Sequence, residues 1–151
     1  MAYWLVKSEP SSWSWDNQVK KKITHWDGVR NYQARNFLKQ MKIGDLCFFY
    51  HSITGKQIMG IVKVCASYKD DPTDGTGRFG MVDMEYVKPL EKPVTLEKIK
   101  KTAQLQELGL IKQSRLSVMP VTPEQWDCII LLGRGQKFGH NSQNNQPSLD
   151  F

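Results

Sequence analysis

Short apolar runs, separated by turn residues, recur along the chain and predict strands. The runs are rich in β-branched and aromatic residues, which favour strands. Two of them flank the turn at residues 53–56, as in a hairpin. The runs end at polar residues 9–12, at the Asp-rich loop 69–77 and at Pro89. The predicted strands are residues 3–6, 46–51, 58–66, 81–87 and 117–121.

Apolar residues at helical spacing predict the second kind of element. In the clearest case they recur from Ala34 at i, i+3, i+4 and i+7. Asn31 stands ahead of this helix as an N-cap, and Gly44 ends it. The sequence Thr-Pro-Glu-Gln at residues 122–125 marks another helix start. The predicted helices are residues 15–22 after Ser14, 33–41, 96–103 after Thr95, and 123–133.

The predicted element order is β-α-α-β-β-β-α-β-α. This order indicates an α+β fold with a curved sheet that is mixed or mostly antiparallel. The 151 residues suit one domain with its own core. After Gly135 the chain becomes polar and loses its periodicity. We therefore predict a domain over residues 1–135 and a flexible polar tail over residues 136–151.

Charge and composition narrow the function only slightly. The net charge of +6 and pI of about 9.2 favour a polyanionic partner such as DNA or RNA. The 3 cysteines lie in apolar runs without CxxC spacing and are predicted to be buried thiols. The start does not resemble a signal peptide, and no apolar run approaches the roughly 20 residues that span a bilayer. We expect an intracellular monomer with no membrane partner.

The richest candidate binding segment is residues 26–35. Trp26 offers a stacking plane for a base, an interaction worth about 1–3 kcal/mol. Gly28 allows close approach of the backbone. Arg30 and Asn31 stand at a helix start, which attracts phosphate or the polar edge of a base. Each residue alone has a structural alternative, with Asn31 as a cap, Trp26 in the core and Arg30 at the surface, but their clustering favours binding.

Two strand ends supply further candidates. Either Lys7 contacts a phosphate and Ser8 a base, or Ser8 and Glu9 simply make a turn. Tyr50 is a candidate for stacking in a pocket. His51 invites a catalytic role, but no nearby serine or cysteine has the context of a nucleophile. We therefore favour a structural hydrogen bond for His51.

Other charged residues and motifs suggest little chemistry. The basic run 20–22 is either a solvated face or a phosphate contact. Arg115 either binds phosphate or forms a buried ion pair with Glu9 or Asp83, and we favour the ion pair. No Walker loop, GxSxG or HExxH motif is present. The acidic loop lacks the ligand spacing of a calcium site, so we expect neither a metal nor a cofactor.

Several of these segments together resemble the EVE domain family. The resemblance extends from about residue 3 to residue 132 and is specific, because several long motifs occur in the right order. The segments are Tyr-Trp-Leu-Val-Lys-Ser-Glu-Pro at 3–10, Trp-Asp-Gly-Val-Arg-Asn-Tyr-Gln-Ala-Arg-Asn-Phe-Leu at 26–38, Met-Lys-Ile-Gly-Asp at 41–45, Phe-Tyr-His-Ser at 49–52, Met-Val-Asp at 81–83 and Arg-Leu-Ser-Val-Met-Pro at 115–120.

The resemblance implies a PUA-like fold, a curved sheet or small β-barrel flanked by helices. It also implies kinship with YTH domains, which hold a methylated base in an aromatic cage. The implied function is non-catalytic reading of a modified base, such as methylated cytosine, flipped into a pocket from DNA or RNA. Eukaryotic members of the family are nuclear, so we expect the nucleus or the bacterial cytoplasm. The alternatives are an enzyme acting on nucleic acid, using His51 with Asp83 or Glu9, and a sensor of a nucleoside-like molecule.

The resemblance also assigns residues to the expected site. The positions expected around the pocket are Lys7, Ser8, Trp26, Val29, Arg30, Asn31 and Tyr50, with Phe79 where relatives commonly have tryptophan. The loop before Phe79 is shorter than in many relatives, so a less complete aromatic cage is expected. The expected phosphate contacts are Lys7, Lys20, Lys21, Lys22, Arg30 and Arg35. The residues expected to orient the site are Glu9, Gly28, His51, Ser52, Asp83 and Arg115.

Overall fold

The structure is a computed structural model that describes residues 1–135, so the predicted tail at 136–151 lies outside the described residues. Within that range the strands are β1 (Tyr3–Ser8), β2 (Ile23–Trp26), β3 (Leu46–His51), β4 (Gln57–Asp70), β5 (Gly80–Thr95) and β6 (Val118–Val121). The helices are α1 (Trp15–Lys21), α2 (Tyr32–Gln40), α3 (Leu96–Lys100), α4 (Gly109–Lys112) and α5 (Pro123–Gly133), with a 3₁₀ turn at Ala103–Leu105.

The strands form one mixed sheet in the order β2-β5-β4-β3-β1-β6. Strands β1 and β3 run parallel and place Lys7 beside Tyr50, whereas the other neighbouring strands are antiparallel. The mixed sheet flanked by helices confirms the predicted fold class. Among the described residues no pairing joins the edge strands β2 and β6, so the sheet is open and does not close into a barrel.

The core lies where α5 packs on the sheet. The ring of Trp126 is fully buried and stacks on Phe48 and Tyr3, with ring centroids 3.8 and 4.4 Å apart. Burial of one large apolar side chain contributes roughly 1.5–3 kcal/mol. This packing fixes β1 and β3, whose C-terminal ends carry several of the predicted site residues.

Side-chain caps begin the helices where the sequence predicted them. Asn31 Oδ1 accepts a hydrogen bond from the Ala34 amide at 2.9 Å. Ser14, Thr95 and Thr122 cap α1, α3 and α5 in the same way. These caps satisfy amide groups that have no partner inside the helix, so they fix the residue at which each helix begins.

Strand β2 was not predicted. The chain turns out of α1 at Lys22, whose φ is +71°. The Tyr86 amide donates to the Lys22 carbonyl at 2.7 Å and starts the pairing with β5. Four residues are too few for alternation to stand out in a sequence.

The sequence predicted that strand β5 ends at Pro89. In the structure, β5 continues through Pro89 to Thr95. Pro89 lies opposite Gly60 on β4, where the register of the pair shifts. A proline is tolerated at such an irregularity because its missing amide breaks no regular hydrogen bond. Gly60 is required there because a Cβ would collide with the ring of Trp15.

Helix α3 is shorter than the predicted span of residues 96–103, and α4 was not predicted. The Gln106 side-chain amide donates to the carbonyls of Lys100 and Thr102 at 3.0 and 2.8 Å. It thereby satisfies the C-terminal carbonyl groups and allows the helix to stop early.

Two cysteines, Cys47 and Cys128, are buried as predicted, whereas Cys65 is only half-buried. No helix within residues 1–135 has the length and apolar character needed to cross a bilayer.

Candidate functional site

A cleft of about 790 Å³ opens between the end of β1, strand β2 and the segment that leads into α2. This volume is typical of small-molecule and cofactor sites, which span about 300–1,000 Å³. The residues that line the cleft are Lys7, Ser12, Trp13, Lys21, residues 23–31 and Ser117. The predicted site residues that meet there are Lys7, Lys21, Trp26, Gly28, Val29, Arg30 and Asn31.

One side of the cleft is the segment 27–31, here called the anchored wall, which is held by Asp71. The Gly28 amide and Arg30 Nη1 donate to Asp71 Oδ2 at 2.8 and 3.0 Å. Thr73 donates to Oδ1 from its amide at 2.7 Å and from its hydroxyl at 2.6 Å. Gly28 has a φ of +78°, which glycine adopts without steric cost. Asp71 thus ties this wall to the loop between β4 and β5.

The charge on Asp71 is stabilised by its hydrogen bonds. The side chain is 0% exposed, and burial alone would raise its pKa. The hydrogen bonds from Thr73, Gly28 and Arg30 outweigh burial and lower the pKa to about 2. The carboxylate is therefore ionised at neutral pH and pairs with the Arg30 guanidinium.

Arg30 and Asn31 are largely engaged within the anchored wall. Arg30 also donates to the Val29 carbonyl at 3.1 Å and to the Thr73 hydroxyl at 2.9 Å. Asn31 Oδ1 caps α2, while none of the described residues accepts a hydrogen bond from the side-chain NH₂ of Asn31. What this wall offers a ligand is therefore that NH₂ group and the exposed part of Arg30, whose side chain is 42% exposed.

Strand β2 forms another part of the cleft lining, here called the edge wall. It pairs with β5 and, within the described chain, with no other strand. Alternate backbone amide and carbonyl groups along its outer side are therefore open to a ligand. An edge strand beside a cleft can hydrogen-bond the polar edge of a bound base.

The edge wall also carries His25, whose ring is fixed by Asp83. Asp83 Oδ1 lies 2.6 Å from His25 Nδ1, and Lys69 Nζ donates to Asp83 Oδ2 at 3.1 Å. Burial alone would raise the pKa of Asp83, but the hydrogen bonds from His25 and Lys69 lower it overall. Because a carboxylate accepts, the Nδ1 atom of His25 carries the proton and Nε2 remains for a ligand. The His25 side chain is 61% exposed.

Two tryptophans line the cleft, and one of them, Trp26, belongs to the core as its structural alternative expected. Trp26 is 7% exposed, and its ring meets the Phe49 ring edge-on at 5.5 Å. Trp13 is half-buried and donates from Nε1 to Gln18 Oε1 at 2.8 Å. Because the Gln18 side chain in turn donates to the Lys22 carbonyl at 3.0 Å, Trp13 is held in one orientation. Fixed indoles suit base stacking.

The positive charge at the cleft comes from fewer residues than the sequence suggested. Lys7 Nζ donates to the Ser114 carbonyl at 2.6 Å, and burial lowers the pKa of Lys7. Of the basic run 20–22, only Lys21 is in the lining. The Nζ atom of Lys22 lies instead over the Tyr86 ring, 4.3 Å from its centroid.

Arg35 and Phe79 lie outside the cleft lining. The Arg35 guanidinium lies 4.9 Å from the centroid of Tyr32, which stacks on Phe79 with centroids 5.0 Å apart. The Arg30 guanidinium lies 5.6 Å from the Phe79 ring centroid. Phe79 is thus covered by Tyr32 and lies beside Arg30 of the anchored wall.

Ser8 and Tyr50 also lie outside this cleft. The Ser8 hydroxyl donates to the Trp13 carbonyl. Tyr50 is buried and borders a second cavity of about 380 Å³, which Lys7 and Lys56 also line. Burial raises the pKa of Tyr50 to about 12. Of the predicted pocket residues, Tyr50 thus lines the second cavity and Lys7 lines both cavities, whereas Ser8 and Phe79 line neither.

The residues at the β1 and β3 ends have structural contacts. The Glu9 carbonyl accepts from the amides of Ser12 and Trp13, both at 2.9 Å, and makes the turn considered above. His51 Nε2 accepts from the Trp15 amide at 2.9 Å, which is the structural hydrogen bond expected for it. Burial is the main cause of the lowered pKa of His51.

The favoured ion pair of Arg115 is not formed. Arg115 is exposed, and Asp83 is engaged by His25 and Lys69 instead.

The acid–base pair suggested for an enzyme is also absent from the described residues, because His51 pairs with neither Asp83 nor Glu9 there. Residues 1–135 also contain no group of three or more His, Cys, Asp or Glu placed to hold a metal ion.

The sequence did not single out Trp13, Thr24 or His25 as site residues, yet all three line the cleft. Trp13 follows a polar turn, where an aromatic residue has no periodic reason to occur. The short run Ile-Thr-His-Trp at residues 23–26 is bounded by Lys22 and by Asp27-Gly28. Those bounds are typical of a strand and were the signal available in the sequence.

The fold and the cleft define a mixed-sheet domain with an aromatic and basic site. The EVE domain family model matches residues 2–132 of this chain. Mouse thymocyte nuclear protein 1 is 34% identical over 86% of this chain and 73% of its own length.

Solved structures show the same relationship. A protein of Rhodopseudomonas palustris is 45% identical with a TM-score of 0.85, covering 96% of this chain and 100% of that one. The human THYN1 protein in complex with DNA containing 5-methylcytosine is 30% identical with a TM-score of 0.82, covering 88% of this chain and 98% of that one. The chain belongs to the EVE domain family.

Proposed function

We propose that this domain is a non-catalytic DNA-binding module that holds one modified cytosine, turned out of the duplex, in the cleft. The observation that carries the proposal is the convergence of two fixed tryptophans, an open strand edge and several cationic side chains on one cleft. A similar fold has been solved in complex with DNA that contains 5-methylcytosine. We further propose that it acts as an intracellular monomer.

The two walls and the cations have distinct roles in this proposal. Trp13 and Trp26 stack on the base, which offsets the few kcal/mol needed to unstack it. The open edge of β2, the His25 Nε2 atom and the Asn31 side-chain NH₂ contact its polar edge. Lys7 and Lys21 contact the phosphates beside it.

The proposal is tested by binding to matched oligonucleotides that differ only in one cytosine, unmodified or 5-methylated. Wild-type protein should prefer the methylated DNA, and Trp13→Ala should weaken binding by about tenfold or more because a stacking surface is lost. An RNA of the same sequence and a free nucleoside added as competitor test the RNA and sensor alternatives. Equal, weak and steeply salt-dependent binding to all probes would contradict base recognition.

A charge-matched pair of variants separates local contact from general attraction. Lys21 lines the cleft, whereas Lys42 is exposed just before β3. Lys21→Gln should weaken DNA binding and reduce its salt dependence by about one ion, whereas Lys42→Gln should leave both unchanged. Product formation from any probe would favour the enzyme alternative.

A further inference from the structure

The turn that joins β3 to β4, residues 52–56, holds an isoleucine in an unfavourable conformation. Ile53 has a φ of +66°, a region in which a β-branched side chain crowds the backbone. Although it is apolar, Ile53 is also 66% exposed. Neither backbone preference nor burial accounts for isoleucine here, and strain of this kind concentrates at functional positions.

Hydrogen bonds at its base keep the turn in this shape. The Ser52 amide donates to the Ser8 carbonyl at 3.0 Å, and the Thr54 amide donates to the Ser52 carbonyl at 2.7 Å. On the other side, the Leu96 amide donates to the Lys56 carbonyl at 2.9 Å. The surrounding structure therefore holds Ile53 in an exposed position.

The turn stands beside the proposed base site. Strands β1 and β3 are parallel, so their C-terminal ends lie at the same end of the sheet. Ile53, Lys56 and Lys7 line the 380 Å³ cavity, and Lys7 also lines the 790 Å³ cleft. An exposed apolar side chain thus shares a cavity with two lysines, and one of them, Lys7, also lines the cleft.

We propose that Ile53 is a wedge that enters the DNA duplex at the position left by the turned-out base, with Lys7 and Lys56 contacting backbone phosphates on either side. An apolar side chain can fill such a gap and replace the lost stacking, and isoleucine is one of the residues used in this way. The inference rests on the proposed function, because a wedge is needed only if a base leaves a duplex.

The test compares Ile53→Asn with Ile43→Asn. Asparagine adopts positive φ more readily than isoleucine, so the 52–56 turn should still form. Ile43 is 65% exposed and precedes β3 at the opposite end of the sheet, which makes it a matched control. The probes are a fluorescent duplex with one 5-methylcytosine and the same methylated strand alone. Anisotropy gives the Kd of each.

The wedge predicts a loss confined to duplex DNA. Ile53→Asn should weaken duplex binding about tenfold and leave single-strand binding within about twofold. Ile43→Asn should change neither. A 2-aminopurine next to the methylated base should brighten with wild-type protein on unstacking and brighten less with Ile53→Asn.

Either of two results overturns the wedge while the proposed function stands. One is an unchanged duplex affinity of Ile53→Asn, and the other is an equal loss of affinity for duplex and single strand. Both apply to a protein that still prefers methylated DNA. Wild-type protein that binds neither probe, or shows no preference for the methylated base, contradicts the proposed function itself and the wedge with it. The wild-type preference is measured by adding the unmodified duplex as a third probe, so the two failures are distinguishable.

Discussion

The two walls of the cleft contain similar polar residues but use them differently. In the anchored wall, Asp71 engages the Gly28 amide and the Arg30 guanidinium, and Asn31 caps a helix. In the edge wall, one backbone edge of β2 pairs with none of the described strands. His25 is exposed there, and Asp83 fixes one of its ring nitrogens. The anchored wall uses most of its polar groups to hold its own shape, whereas in our proposal the edge wall presents most of its groups to the base.

This difference shows why a dense motif is an ambiguous sign of binding. Glycine, arginine and asparagine within four positions are as useful for building a rigid turn at a helix start as for contacting a ligand. The partner that decides between these roles is Asp71, which lies 41 residues from Arg30 along the chain. A rigid wall still serves recognition, because a preformed site loses less entropy on binding.

The largest expected effect breaks the anchored wall at Asp71. Asp71→Ala should lower the free energy of unfolding by about 3 kcal/mol, because Gly28 and Thr73 lose their acceptor and Arg30 loses its buried counter-charge. Water screens the partly exposed Arg30, so this loss lies at the lower end of what breaking a buried ion pair costs. Urea unfolding measures it.

A neighbouring carboxylate provides the control for Asp71. Asp70 ends β4 and is exposed, so Asp70→Ala should change stability by no more than about 0.5 kcal/mol. If the two alanine variants were equally stable, the anchored wall would not depend on Asp71. DNA binding should weaken in Asp71→Ala at temperatures where it is still folded.

Acid unfolding should sharpen the same contrast. The pKa of Asp71 is lowered to about 2 from an ordinary 3.8, so its ionised form stabilises the fold above the ordinary pKa. That contribution is lost as the pH falls toward 2, and it amounts to about 2 kcal/mol. Between about pH 5 and pH 2, wild-type protein should therefore lose about 2 kcal/mol more than Asp71→Asn, which cannot ionise. Parallel pH profiles of the two proteins would argue against this linkage.

The sequence predicted the elements with strong periodicity or clear caps, including α2 and α5. It missed β2 because a four-residue edge strand depends on its pairing with β5 more than on its own pattern. It grouped Tyr50 with Trp26 because the resemblance to the EVE family placed both residues around one pocket. Pairing of β1 with β3 directs Tyr50 to the second cavity instead. Long-range pairing was the information that the local pattern lacked.

The two histidines offer a smaller test of the division between structure and recognition. His51→Ala removes the acceptor of the Trp15 amide and should cost about 1 kcal/mol of stability without changing DNA affinity. His25→Ala should leave stability within about 0.5 kcal/mol and weaken binding to methylated DNA about fivefold. Thermal unfolding and anisotropy on both variants measure the two effects. The opposite assignment of effects would reverse the roles given to the two residues.

The smallest expected effect is a gain in stability at the 52–56 turn. Ile53→Gly removes a β-branched residue from a φ of +66°, which relieves about 1–2 kcal/mol of strain, while glycine's extra freedom in the unfolded chain offsets about 0.5–1 kcal/mol. The variant should therefore be more stable by about 0.5–1 kcal/mol and yet bind methylated duplex more weakly. Ile43 is not among the positive-φ residues, so Ile43→Gly should lower stability and leave binding unchanged. If Ile53→Gly is less stable than wild type, then the turn is not strained. The exposed isoleucine would then need an explanation other than a role in DNA binding.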